Sequence, residues 1–131
     1  MREILFRGKR TDCDAWVDGD LIQAFRGNQI SACSIMPHTP TAYCWKVDPE
    51  TVGQYTGLTD KNGKKIFEGD IIKWGLKPCV VKWEENNASF CLYVYGTIKI
   101  SGFNRDTMKL KEVIGNIHDN TELLKRSDNN D

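Results

Sequence analysis

Apolar residues recur at every second position in several short stretches of this chain, the pattern of strands that bury one face. Ile4 and Phe6 alternate with Glu3, Leu5 and Arg7 over Glu3 to Gly8, and Tyr43, Trp45 and Val47 alternate with Cys44 and Lys46. From Ser89 to Tyr95, Phe90, Leu92 and Val94 share one face while Cys91, Tyr93 and Tyr95 share the other. Both faces are apolar, which predicts a central position in a sheet. Further strands are predicted over Gln29 to Met36, from Ile71 to about Trp74, over Cys79 to Trp83 with Val81 and Trp83 on one side, and around Ile98 and Ile100. Lys109 to Ile117 closes the pattern, with Leu110, Val113, Ile114 and Ile117 expected inside.

Turn chemistry separates these stretches. Asn62-Gly63 suits a two-residue type I′ hairpin, in which both central residues take positive φ. Glu68-Gly69-Asp70 punctuates before the next strand, and Asp18-Gly19 reads as a hairpin turn between Trp16-Val17 and Asp20-Leu21-Ile22. Turns are also expected at Arg26 to Asn28, at Glu84 to Asn87 and at Gly102, with a loop from Gly75 to Pro78. Pro37 and Pro40 remove ladder donors and interrupt pairing there. Asp48-Pro49-Glu50 is a helix-start pattern, but Gly53 limits it to one turn. Another helical turn fits Glu122 to Leu124, and residues 125–131 read as a frayed polar tail. The whole predicts a mainly β fold with little helix: a small SH3-like β-barrel over residues 51–119, with residues 1–50 adding N-terminal strands, in a single domain ending at residue 124.

The stretch Val52 to Lys73 carries the densest local instructions. Val47-Asp48-Pro49-Glu50-Thr51-Val52-Gly53-Gln54-Tyr55-Thr56-Gly57-Leu58, then Asp60-Lys61-Asn62-Gly63 and Ile66-Phe67-Glu68-Gly69-Asp70-Ile71, resembles the signature of the YopX family of phage and prophage proteins. Arg2 to Arg10 is similar to the family's start, and Glu112 to His118 with Asn120, Glu122, Leu123 and Leu124 is similar to its end. The resemblance implies a phage or prophage origin and a mostly β fold. It implies no assigned activity and carries over no site residue.

Composition narrows the function classes. The chain has 131 residues, enough for one ordinary domain, and 40% apolar with 27% charged residues argues against disorder. No apolar run approaches the length of a membrane span, and the acidic Glu3 interrupts any secretory pattern, so a cytoplasmic location in a bacterial host is expected. Eighteen basic and eighteen acidic residues leave no net charge, hence no global attraction for nucleic acid. Local clusters remain at Arg2, Arg7, Lys9 and Arg10, and at Lys61, Lys64 and Lys65 around the hairpin tip. Solvated tip lysines are the plain reading, and a phosphate-contacting patch is the alternative. The five cysteines lack CxxC spacing, which predicts free, buried thiols and no metal site or cofactor.

Candidate chemistry is sparse. Cys33 or Cys44 with His38 and an aspartate would make a nucleophilic triad only by chance composition, and His38 reads as a solvated loop residue. The carboxylate pairs Asp18 and Asp20, Glu68 and Asp70, and Glu84 and Glu85 read as solvated turn residues. The aromatics say more, because four tryptophans and four tyrosines exceed what a small core hides easily. Trp74, Trp83 and Tyr55, with Lys61, Lys64 and Lys65, are therefore the candidate binding residues. They lead to three expectations: a non-enzymatic accessory adaptor that binds a phage or host protein and self-associates, a nucleic-acid-binding barrel, or a small cysteine hydrolase.

Overall fold

The computed structural model describes residues 1–39 and 43–126. Pro40 and the last five residues of the expected tail lie outside the described residues. The chain divides into two compact units, Met1–Tyr55 and Thr56–Asp131.

The first unit is an antiparallel sheet built from β1 (Phe6–Lys9), β2 (Trp16–Arg26), β3 (Gln29–Met36), β4 (Trp45–Lys46) and the start of β5 (Gly53–Thr59), in the order β4-β3-β2-β1-β5. Its core gathers Cys33, Ile35 and Val47, with Val17, Leu21 and Val52 packed against them. The expected turn at Asp18-Gly19 is absent, and β2 runs straight through it. The residues carry a period of two after all: Val17 and Leu21 are half-buried and Gly19 is buried, while Asp18 and Asp20 point to solvent. Gly19 serves a positive φ of +156 and a close approach instead. A Cβ there would stand 2.0 Å from the Met36 carbonyl oxygen. The chain reverses at Gly27-Asn28, as the sequence predicts, with Gly27 at φ +65 and Arg26 paired to Gln29. After β4, Asp48 caps a 3-10 turn, Pro49–Thr51, by accepting the Glu50 N–H at 3.0 Å.

In the second unit β5 ends beside β6 (Lys65–Phe67), and a five-stranded antiparallel sheet follows. Its strands are β7 (Asp70–Trp74), β8 (Lys77–Glu84), β9 (Ser89–Val94), β10 (Ile98–Ile100) and β11 (Glu112–Asn116), ordered β10-β9-β8-β7-β11. The expected barrel is thus corrected to two antiparallel sheets, because the ladder ends on β10 at one side and β11 at the other. β9 lies inside its sheet between β10 and β8, as expected, and β8 holds the middle position, with the run Pro78 to Val81 buried on both faces. The loop expected from Gly75 to Pro78 shrinks to Gly75-Leu76, since Pro78 already pairs with Lys73.

One side of this sheet packs Ile72, Cys79, Val81, Leu92 and Val113 with Ile66 and Met108. Met108 comes from the short helix α1 (Arg105–Met108), which period-two reading missed. Its start was legible: Asn104 is an N-cap residue, and its side chain accepts the Thr107 N–H at 2.9 Å. Leu110 and Ile114, expected inside, are 77% and 37% exposed. A bulge between Val113 and Gly115 shifts the register at Ile114, and Met108 supplies the apolar plug that Leu110 was expected to be. Asn104→Ala should lower stability by about 1 kcal/mol, read as a lower urea midpoint at constant slope.

Candidate functional site

The Val52 to Lys73 stretch is organised by two buried carboxylates. Asp60, 3% exposed, directly follows β5 and accepts three backbone N–H groups: Asn62 and Lys64 at 2.9 Å each on Oδ1, and Val113 of β11 at 3.0 Å on Oδ2. Burial opposes its ionisation, but the donors from Val113, Lys64 and Asn62 and the Lys64 charge together hold its pKa below the ordinary value. The Asn62-Gly63 turn is corrected as well. The Asp60 N–H reaches the Lys64 carbonyl and the Gly63 N–H the Asp60 carbonyl, a three-residue loop with Gly63 at φ +77 and Asn62 outside the positive-φ region. Asp70, expected in water, is 1% exposed and accepts the Phe67 N–H at 2.8 Å. Both carboxylates hold turns in place, and neither is presented to a ligand.

The six candidate residues do not form one site. Tyr55 is corrected from exposed to buried, at 9%. Trp74 is half-buried against the core of its unit, with Lys111 Nζ 4.3 Å above its ring and Gly102 packed on its edge. Trp83 lies six residues beyond Lys77, the partner of Trp74, and so roughly 20 Å further along β8. Lys61 faces Glu112 at 3.6 Å, Lys64 is exposed, and Lys65 is half-buried. The N-terminal basic cluster covers tryptophans: Arg7 and Lys9 lie 4.8 and 5.8 Å from the Trp16 ring centre, and Arg10 lies 3.7 Å from that of Trp45. Cation–π stacking is how these large rings are housed outside a core.

Trp83 stands beside a groove, through its contact with Phe90. It is 41% exposed and packs edge-to-face on Phe90, its partner across β8 and β9, with ring centres 5.0 Å apart. Phe90 in turn lines a groove of about 520 Å³ between the start of β9, β10 and the segment leading to α1. Phe103 supplies the other aromatic wall, and Ser89, Cys91, Lys99 and Ser101 give it a polar rim. Beside it, Tyr93 donates to Glu84 at 2.6 Å, and Lys82 lies over the Tyr93 ring while donating to the Gly96 carbonyl. The bond to the Glu84 carboxylate, with a smaller contribution from burial, pushes the Tyr93 phenol up to about 12. In an ultraviolet titration, one tyrosine should therefore stay protonated through pH 11, and Tyr93→Phe should remove that late step.

The thiols divide by place. Cys33 and Cys79 are core residues, and burial pushes the Cys79 thiol up, whereas Cys13 and Cys44 are exposed, which corrects the expectation that all are buried. His38 Nε2 bonds Asp20 Oδ1 at 2.8 Å, so it is engaged at the sheet surface. Among the described residues, no group of three or more His, Cys, Asp or Glu is placed to hold a metal ion, and no helix is long and apolar enough to cross a membrane.

Fold and groove together define a mainly β protein of two antiparallel sheets with an aromatic-walled surface groove. A family model described as YopX protein matches residues 5–125, nearly the whole chain, and the chain belongs to that family. Among solved structures, protein EF1440 from Enterococcus faecalis is similar, at 24% identity and a TM-score of 0.62, over 95% of this chain and 100% of that one. That likeness concerns the fold alone. No curated protein matches the chain.

Proposed function

We propose that this YopX-family chain is a phage- or prophage-encoded accessory module, acting by binding and not by catalysis, whose groove between Phe90 and Phe103, with Trp83 beside it, takes a segment of a partner protein. The observation that carries this reading is the exposure of Trp83 at 41% beside an aromatic-walled groove, since an indole left in water is costly unless a partner covers it. The groove residues Ser89, Cys91 and Ser101 include hydroxyl and thiol groups, but no histidine or carboxylate stands among its described lining to act as a base. The Lys61–Glu112 pairing and the absence of net charge favour a protein over a polyanion.

The test is affinity capture by the tagged protein from host lysate, with and without nuclease, using wild type and Trp83→Ala. A partner protein retained after nuclease and bound about thirtyfold more weakly by Trp83→Ala is the expected result. Capture that vanishes with nuclease, or that ignores Trp83→Ala, would overturn the reading.

A further inference from the structure

The strand β2 has an open edge. β1 covers it only over Trp16–Gly19, and among the described residues no strand lies on that side beyond Gly19, while β3 pairs the other side from Asp20 to Arg26. Ile22 to Arg26 are exposed, with Ile22 at 48% and Phe25 at 60%. Soluble β proteins normally shorten such an edge or guard it with lysine or proline, and Asp20 to Arg26 contains neither. The register shift near Phe25 places its extra residue, Ser31, on β3, so β2 itself stays continuous. The Ala24 carbonyl accepts from Ser31 Oγ at 3.1 Å and so faces β3. By the two-residue alternation of a strand, Gln23 presents its N–H and C=O to the open side.

The order of side chains on this edge is self-complementary. We propose that two copies of the chain pair antiparallel along Asp20–Arg26 about a twofold axis at Gln23, joining their first-unit sheets into one. In that register Asp20 meets Arg26 of the second copy, Leu21 meets Phe25, Ile22 meets Ala24, and Gln23 meets its own counterpart. Each pair shares a sheet face, because both members have the same parity along the strand. Two opposite-charge pairs close the ends, and apolar pairs flank the central Gln23 pair. Asp20 binds His38 through Oδ1, and its Oδ2 is the atom that meets the guanidinium. A register centred on Ala24 would instead set Ile22 against Arg26 and lose both charge pairs, so the charges select one alignment. The second copy is the occupant this edge fits: an isologous contact needs only the surface itself, and the charge order reads the same from either copy.

This surface is separate from the Trp83 groove and stands or falls independently of it. Sedimentation equilibrium of the full chain across a concentration series should give twice the chain mass at the upper end. Arg26→Asp, which sets like charges opposite each other twice, should weaken association about tenfold or more, and Asp20→Arg with Arg26→Asp together should restore it. Gln23→Pro removes an outward N–H without touching the β3 ladder, and it should leave a monomer whose circular dichroism is unchanged. A wild type at the chain mass throughout, an Arg26→Asp variant that associates like wild type, or a charge-swapped variant no tighter than the single one would each overturn the proposal.

Discussion

Asp60→Ala is expected to lose roughly 4 kcal/mol of stability. The carboxylate is almost fully buried and accepts the backbone N–H groups of Asn62, Lys64 and Val113. Alanine would leave those donors without that acceptor, and a buried unmade bond to a charged partner costs more than the net worth of an ordinary hydrogen bond. The damage would not stay local. Val113 lies 53 residues further along the chain, so the same side chain closes the hairpin loop and ties β11 to it. Asp60→Asn keeps an oxygen for the loop but turns an NH₂ toward a donor, and it should fall between wild type and alanine. Urea unfolding measures this, and a loss below about 1 kcal/mol for Asp60→Ala would refute the anchor role.

The same bonds set a pH dependence. Because the folded state holds the Asp60 pKa below its unfolded value of about 3.9, folding favours the ionised form. Its contribution is complete above the unfolded value and is lost as pH falls through the lower, folded one. Wild type should therefore weaken on acidification across that window. Asp60→Asn should show a shallower acid decline, visible as converging unfolding midpoints of the two proteins below about pH 4.

Gly19→Ala should be nearly as damaging, on the order of 3 kcal/mol, although Gly19 lies in a strand and not in a turn. The added methyl would stand 2.0 Å from the Met36 carbonyl oxygen and 2.8 Å from Pro37 Cα, and both are backbone atoms that cannot rotate away. β2 and β3 would have to separate where Leu21 pairs with Ile35, next to the Cys33, Ile35 and Val47 core. Gly27→Ala makes a useful contrast. Its Cβ would meet nothing within 4 Å, so only the positive φ of +65 is strained, and about 1 kcal/mol is expected. Gly19 is itself at φ +156, so conformation acts at both positions and the close approach is what Gly19 adds. Equal losses at the two glycines, measured by thermal unfolding, would show that the close approach adds nothing.

The contrast between these glycines also marks how far the sequence could be read. Gly27 was legible as a turn because Arg26 to Asn28 interrupts two apolar stretches with polar residues. Asp18-Gly19-Asp20 has the composition of a turn, yet Gly19 lies inside a strand, where its requirement for glycine comes from a φ of +156 and from Met36, seventeen residues away. Leu110 and Met108 were exchanged for a similar reason. Periodicity reports which residues share a face, but the bulge at Ile114 and the short helix decide which face meets the core. Of the site, Trp83 is legible as an aromatic flanking a loop between two expected strands. Phe90 and Phe103 are not legible as part of it, since their convergence depends on β9 and the approach to α1 lying side by side.

By itself the sequence determined the local chemistry: mainly β structure, most strand positions, the Asp48-capped turn, and the family through its Val52 to Lys73 signature. These follow from propensities and turn residues that act over a few neighbours. Only the tertiary structure decided that the strands form two open sheets and no closed barrel, that Asp60 and Asp70 are buried anchors, and that Tyr55 is hidden while Trp83 stands out. Burial and pairing register are sums over residues distant in the chain, and no local pattern contains them.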